Sequence, residues 1–570
     1  MSATLKQRLA SIPPLVWLLL LTLACLVPFA GKAFFIDDTL FIRAAEQIQK
    51  HPADFYGFNI NWYGYSTPMT VAFDNPPLTS YYIALVALLL GWSEWALHLA
   101  FLLPALAAVW GIFALAKNYC DRPFTAALIA LLSPVFLISA TAVMCDVMQL
   151  AFWVWTLVFF EKGLRSESRA ALVTSGIMAG LALLTKYLAL SLVPLLLAYG
   201  FCRMRRPGWW LLAPIIPLFF AAGYQWLTFR LYGHGLVLNA AHEASRFRAN
   251  AYDIRWEQVT VGISFVGACF LPVLFYAPWL WSRRIILAMP CLIAAGLLII
   301  PRMAVYVSLM WKPDGRLQWG TFSYTAILVI AGLYVFLLAA MDLWERRDAV
   351  SVLLLLWLSG MFVFTVALNW TINGRSLLPA VPAIGILAAR RLERRKAGFA
   401  PGEMRLLWPA LPAGIITLIL VKADYNLANV QCTAAKTLSA QYRSSGHELW
   451  FQMHWGFQYY AEQLGAKALE VRSPHVKPGD VLIRPFDGRD RQQNHISLGS
   501  YSDVPLIGEG KYVANTFCAT MSPSAGAGFY AANLGPLPFV IGDIKPEYFD
   551  IYQVSSKAPV PGRKPLASKD

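Results

Sequence analysis

Charge is scarce in this chain. Only 14% of its residues are Asp, Glu, Lys or Arg, where a soluble domain carries about a quarter. A surface bathed in water over the whole length is therefore excluded. Stretches such as Leu15–Ile36, Ala96–Ala116 and Ser351–Leu368 carry no charge until their ends. Each is near the ~20 residues that cross a ~30 Å hydrocarbon layer. At that length only a helix satisfies its own backbone in lipid. A phosphate-binding P-loop and a GxSxG elbow are also missing, so soluble nucleotide-sugar chemistry and serine hydrolysis have no support. The histidines show no HxxxH with a third ligand, which leaves no metal motif. No internal repeat is visible, which argues against a transporter built from inverted halves.

What is present begins with the basic residues. The net charge is +15, but it sits in short clusters between apolar blocks: Lys162/Arg165/Arg169, Arg203/Arg205/Arg206, Arg283/Arg284, Arg346/Arg347 and Arg390 to Lys396. That is the positive-inside pattern and not a nucleic-acid surface, so no nucleic-acid partner is expected. With those clusters in the cytoplasm, about 13 spans follow: 14–36, 95–116, 124–142, 147–161, 171–186, 188–202, 209–227, 260–281, 285–301, 320–342, 350–368, 376–390 and 407–422. The first is read as a retained helix, because it is longer than a signal h-region and ends in aromatics and aspartates without a cleavage site. The expected fold class is an all-α polytopic membrane protein of a bacterial-type inner membrane. It has a transmembrane part, 1–423, and a small C-terminal extracytoplasmic α/β domain, 424–570. The N-terminus is cytoplasmic. The first outside loop is 37–94. Within it, Thr39–Lys50 places Leu40, Phe41, Ala44, Ala45 and Ile48 on one helical face, as in a helix lying in the headgroup plane. Leu78–Leu90 is apolar but short for a span. The last dozen residues, rich in Pro, Gly and Lys, read as disordered.

The residues that could carry chemistry lie on the outside. Asp37 and Asp38 follow the first span directly. Two carboxylates at the lip of a bilayer repel each other and are partly desolvated, conditions that favour a proton acceptor. Asp38 is expected to cap the helix that follows, and Asp37, whose capping would be redundant, to act. Asp146 stands alone between Asp121 and Glu161 at an outside turn. With Gln149 it also resembles a capping box, and both roles stay open. Lys186 ends a helix on the same side, and Arg246, Arg248, Arg255, Arg302, Lys312, Arg316 and Arg375 fall in outside loops. Cations there run against the topological bias, and a lipid phosphate would explain them. Snorkelling from a helix end explains some of them individually. Lys186 and Arg375 are the strongest candidates, with Arg302 and Arg316 next. His242 could face the same site, though a lone His is more often structural. Cys432 and Cys518 are the only cysteines after the last span. In an oxidising compartment they are expected to pair.

Four segments taken together resemble a known family. Ile36-Asp-Asp-Thr-Leu-Phe-Ile-Arg-Ala-Ala-Glu-Gln-Ile48 looks like the acidic-pair motif of the polytopic GT-C glycosyltransferases. Asn75-Pro-Pro-Leu-Thr-Ser-Tyr-Tyr82, Gly180-Leu-Ala-Leu-Leu-Thr-Lys186 and Asn373-Gly-Arg-Ser-Leu-Leu-Pro379 are similar to later blocks. The protein O-mannosyltransferases and the lipid A aminoarabinose transferases, of glycosyltransferase family 39 type, are nearest. The resemblance spans roughly 14–395 and departs in three places: Asp-Asp for Asp-Glu, Asn75 for a Lys, and Ser376 for a Tyr.

It implies a polyprenyl-phosphate-linked sugar as donor and a lipid, glycan or protein acceptor met on the outer face. Asp37 would be the base, Lys186 and Arg375 would meet the leaving phosphate, and Asp146 would orient the acceptor or hold a cation. No cofactor is required. A divalent cation on Asp37 and Asp146 is an option. The alternative is a lipid-linked sugar flippase, which would need ionisable residues along a path at mid-membrane depth.

Overall fold

The computed structural model describes residues 12–73, 75–250, 256–297, 299, 302–312, 314–395, 404–443, 447–472, 474–486 and 504–555. Its apolar runs are helices throughout. Among the described residues, seven are long and apolar enough to cross a membrane: Glu94–Tyr119, Cys145–Ser166, Tyr187–Met204, Trp209–Tyr232, Trp319–Arg346, Ala349–Leu368 and Ala410–Tyr442. Two further expected spans are broken. Pro123–Leu131 and Pro134–Ala140 meet at 62°, and Trp256–Cys269 and Pro272–Leu280 at 83°. In each pair the second helix opens with a proline, which cannot donate to the preceding turn and therefore starts a helix rather than continuing one. Counting each pair as one span gives nine. Pro14–Phe29, Leu78–Leu90 and Arg169–Thr185 are shorter apolar helices.

The expected span at 376–390 is helical and enclosed by protein. Its helix, Val381–Arg395, is buried from Val381 through Leu392, arginines included. It is a core helix, not a lipid-facing one. Arg390 reaches Asp342 at 3.0 Å and Asp348 at 2.9 Å, and Arg391 reaches Glu345 at 2.6 Å. Buried guanidinium groups need such partners, because an unpaired charge in low dielectric is costly.

The first loop is built against protein. Its helix, Asp38–Lys50, buries Leu40, Phe41, Ala44, Ala45 and Ile48, the face read from the sequence. That face packs on the helix Leu78–Leu90 and on a short helix of the C-terminal part, Trp455–Gln463, rather than on headgroups. A hairpin follows, with Asn59–Asn61 paired to Ser66–Pro68.

The last long helix, Ala410–Tyr442, runs without interruption through Asp424. Beyond it lies a five-stranded mixed sheet. Leu449–Phe451 is parallel to Lys467–Ala468 on one side and to Val481–Phe486 on the other. Glu547–Gln553 is antiparallel to Val481–Phe486 and to Leu506–Tyr512. The helix Trp455–Gln463 lies between two of the sheet's strands in the chain. This part clasps the first loop. Arg43 pairs with Glu462 at 2.5 Å, Gln458 Nε2 donates to the Asn61 carbonyl at 2.9 Å, and the Val471 N–H donates to the Gly64 carbonyl at 2.7 Å.

One expectation about this region changes. Cys432 and Cys518 are free thiols, both buried. Cys432 faces Tyr460 and Lys436, while Cys518 lies beside Tyr324 of another helix. Two cysteines facing different neighbours do not present their sulfurs to each other. The C-terminal stretch read as disordered lies outside the described residues, as do Arg255 and the side chains of Arg246 and Arg248.

Candidate functional site

The first span ends in a constrained turn. Ile36 has φ 51°, a left-handed conformation that is uncommon for a β-branched residue and costs roughly 1–3 kcal/mol. Three contacts hold the turn. The Phe34 N–H donates to Tyr460 Oη at 2.9 Å, the Phe35 N–H to Asp38 Oδ2 at 2.9 Å, and the Val143 N–H to Asp38 Oδ1 at 2.8 Å. Asp38 therefore does not cap its helix, contrary to the sequence expectation. It is the first helical residue, fully buried, and both its oxygens tie the turn to the segment before Asp146. Burial pushes its carboxyl up to about 7, against the opposing pull of Lys32 and the two backbone donors.

The turn aims Asp37 the other way. Asp37 occupies the N-cap position but makes no capping bond. Its Oδ2 accepts from Arg375 Nη2 at 2.8 Å. The other terminal nitrogen of Arg375 lies 3.9 Å from Asp146 Oδ2, and Asp146 Oδ1 accepts from Lys186 Nζ at 2.7 Å. Four side chains from four distant segments thus form one row of alternating charge: Asp37, Arg375, Asp146, Lys186. Asp146 makes no capping bond; Gln149 turns away to the Lys186 carbonyl at 3.4 Å. The capping-box reading is therefore replaced by the ion pair. Within the row, exposure falls from 26% at Asp37 to 19% at Lys186, 13% at Arg375 and 2% at Asp146. Asp37 is the member a ligand reaches most easily.

A second layer escaped the sequence reading. Lys32 pairs with Asp424 at 2.6 Å, both almost wholly buried. Asp424 also accepts from Thr520 at 2.7 Å and from Tyr530 at 2.9 Å. The Tyr530 ring lies under the Arg375 guanidinium, 5.5 Å from its centroid, at cation–π range. The segment carrying Tyr530 is stitched to the loop carrying Arg375. The Gly374 N–H donates to the Phe529 carbonyl and the Ala532 N–H to the Ile372 carbonyl, both at 2.8 Å. A Cβ on Gly374 would come within 2.4 Å of the Phe529 ring, so the contact requires glycine there. The signals available in the sequence were Lys32, a lone cation inside an apolar run, and Asp424, an acid just past the last span.

The remaining candidates stay outside this row. Arg302 and Arg316 are exposed, and Arg316 turns to Asp314 of its own loop at 3.7 Å. His242 is exposed beside Glu243. The histidine that does sit near the row is His454 of the C-terminal part, which feels the Asp37 charge. Burial holds its imidazole below the ordinary range, with Asp37 pulling the other way. A divalent cation fits this donor set poorly. Each carboxylate already has a cationic partner, and among the described residues no group of three or more His, Cys, Asp or Glu is arranged to hold a metal.

Residues 74–226 match the family model described as dolichyl-phosphate-mannose-protein mannosyltransferase. Curated protein sequences give no match. Several solved structures are similar in fold. ArnT from Cupriavidus metallidurans bound to undecaprenyl phosphate is 13% identical with a TM-score of 0.47, over 98% of this chain and 100% of that one. The Archaeoglobus fulgidus oligosaccharyltransferase tethered with an acceptor peptide is 14% identical with a TM-score of 0.47, over 80% of this chain and 63% of that one. This chain thus covers less than two thirds of the length of the archaeal protein. The family match holds Asn75-Pro-Pro-Leu78, Asp146 and Lys186, while Asp37 and Arg375 lie on either side of it. Over residues 74–226, then, the chain is similar to the dolichyl-phosphate-mannose-protein mannosyltransferases, in agreement with the GT-C resemblance of its motifs.

Proposed function

We propose that the chain is an integral membrane glycosyltransferase that moves a sugar from a polyprenyl phosphate to an acceptor on the outer face of the membrane. The observation that carries this is the row Asp37–Arg375–Asp146–Lys186, two acids alternating with two cations. At rest the row is neutral, and Arg375 is held by Asp37. A lipid phosphate entering between Arg375 and Lys186 draws Arg375 away, since phosphate offers it a bidentate partner. That frees the Asp37 carboxylate.

The acceptor hydroxyl then attacks the anomeric carbon from the side opposite the phosphate. Asp37 takes the hydroxyl proton as the new bond forms. The bond from the anomeric carbon to the phosphate oxygen breaks, and its electron pair leaves with the phosphate. Arg375 and Lys186 stabilise the charge that develops there. A single displacement of this kind inverts the anomeric centre. Asp146, buried between the two cations, fixes their spacing. No step uses a metal.

In this reading residues 1–423 form the transmembrane part, with the N-terminus in the cytoplasm. The part from 424 onward lies outside, where it meets the first loop. The charge placement supports it. Helix Cys145–Ser166 carries Asp146 at one end and Glu161 at the other, 15 positions away, or ~22 Å at 1.5 Å per residue. Glu161 pairs with Arg165 of a basic cluster, which supports a reading with the site and that cluster toward opposite membrane faces. The test is direct. Purified protein in proteoliposomes, given the lipid-linked sugar fraction and the envelope glycoconjugate fraction from its own cells as acceptor, should release free polyprenyl phosphate, and Asp37→Asn should release none. Equal release by both would overturn the assignment of the base.

A further inference from the structure

Beside the charged row lies a cavity of about 710 Å³ that the proposed chemistry leaves unused. Small-molecule sites run to roughly 300–1,000 Å³. The cavity is lined by Trp62 of the first loop and by His454, Trp455, Glu547 and Asp550 of the C-terminal part. Gln431 of the last long helix and Arg484 complete it. Phe35, two residues before Asp37, also lines it, and His454 is within electrostatic reach of Asp37. The cavity therefore opens beside the proposed base.

Its walls have a consistent chemistry. Trp62 and His454 lie 5.3 Å apart between ring centroids, and His454 and Trp455 4.6 Å apart. Three rings thus form one aromatic corner. Trp455 holds φ 65° to take its place there, a conformation that costs energy in any non-glycine residue. The lining also holds acceptors without donors. Asp550 and Gln431 are each 3% exposed, and Asp550 Oδ1 and Gln431 Oε1 have no hydrogen-bond partner. Leaving such atoms unpaired is costly, so a ligand supplying donors is favoured. One cation, Arg484, faces two carboxyl groups, Glu547 and Asp550, which gives no excess of positive charge for a phosphate.

We infer that this cavity is the acceptor subsite and that it takes a saccharide, whose hydroxyls donate to Asp550 and Gln431 while its ring face rests on Trp62 and Trp455; the subsite role rests on the transferase reading above. A peptide would need donors for its own carbonyls, and an acyl chain would leave the two buried acceptors unpaired. Amphipathic rings with many donors satisfy the aromatic corner and the acceptors at once.

The probe is an array of immobilised neutral, acidic and amino glycans beside unglycosylated peptides, read with the full-length protein in lipid nanodiscs. Saturable binding to a set of glycans is expected. Trp62→Ala and Asp550→Asn should each weaken it by about tenfold or more, equivalent to ~1.4 kcal/mol. Trp62→Phe, which keeps an aromatic face, should retain most of it. Asp550→Asn is near-isosteric, so it decides the matter even if Trp62→Ala does not fold. Binding to no glycan, binding to peptides instead, or glycan binding untouched by Asp550→Asn would each overturn the inference. Asp37→Asn should bind glycans as wild type does. Release of polyprenyl phosphate without glycan binding would sink the subsite alone. Glycan binding that depends on Asp550, with no release from the lipid donor, would sink the transferase reading and leave the cavity a saccharide site.

Discussion

Asp37 and Arg375 meet at 2.8 Å although 338 positions separate them. One stands at the end of the first span, the other in the helical turn Gly374–Leu377 that leads into a buried helix. Their contact closes the row of charge that ends at Lys186, and most of the predictions below follow from it.

The two acids of the first loop should behave differently. Asp37→Asn removes the proton acceptor but keeps the shape, so transfer should stop while the protein stays inserted and monodisperse. Asp38→Asn should act on structure. Asp38 accepts from two buried N–H groups, and an amide in its place has one oxygen where the carboxylate has two. Losing one of those bonds costs ~1–3 kcal/mol. A lowered unfolding temperature with partial activity is expected for Asp38→Asn. An active Asp37→Asn would remove the base.

The carboxyl of Asp38 also makes a pH prediction. Its folded value, about 7, lies above the unfolded one, so the native state binds more protons between the two. Stability should therefore be greatest at the acid end of that window, fall as pH rises from roughly 4 to about 7, and level off beyond. Asp38→Asn has no carboxyl to titrate at that position. Thermal unfolding of the two proteins across this range should show a steeper decline in the wild type than in the variant, which keeps only the fall contributed by Glu547, whose carboxyl burial also pushes up to about 7. Parallel curves would contradict the assignment.

Lys186 cannot be tested by removal alone. Lys186→Met would leave Asp146, which is 2% exposed, with Arg375 at 3.9 Å as its remaining cation, and breaking a buried pair on one side costs up to ~3–5 kcal/mol. The double variant Lys186→Met/Asp146→Asn removes both charges and should recover most of that loss. It should still bind polyprenyl phosphate poorly, because the phosphate partner is gone. Normal phosphate binding by the double variant would place the phosphate elsewhere.

The C-terminal part should prove necessary for the site, not an appendage to it. Gly374→Ala drives a Cβ into the Phe529 ring, so it should part the tail from the Arg375 loop and abolish transfer. Tyr530→Phe keeps the ring under Arg375 and loses only the bond to Asp424. A hydrogen bond to a charged group is worth ~1.5–3 kcal/mol, so a loss of stability with measurable turnover is expected. Full activity in Gly374→Ala would separate the tail from the chemistry.

Much of this architecture was legible in the sequence, and the exceptions share causes. The buried face of Asp38–Lys50 was read correctly because a period of 3.6 reports burial. It does not report what covers the face, and the cover is protein. The breaks at Pro134 and Pro272 were present as letters, but a run of apolar residues hides them when only length and charge are weighed. The burial of the helix Val381–Arg395 left no mark, because an apolar run does not say whether lipid or protein covers it. Asp37, Asp146, Lys186 and Arg375 were each picked out by sign and side of the membrane. Their order in the row was not, since pairing across hundreds of residues leaves no local pattern. Lys32, Asp424 and Tyr530 were missed for the same reason.

The most direct test of the central claim is mass spectrometry of lipids and glycoconjugates from cells that carry the wild-type chain, Asp37→Asn or no copy. The account predicts that the null and Asp37→Asn cells lack the same one sugar on an envelope glycoconjugate and accumulate that sugar on a polyprenyl phosphate. An unchanged glycoconjugate profile and an unchanged lipid-linked pool in Asp37→Asn cells would contradict it.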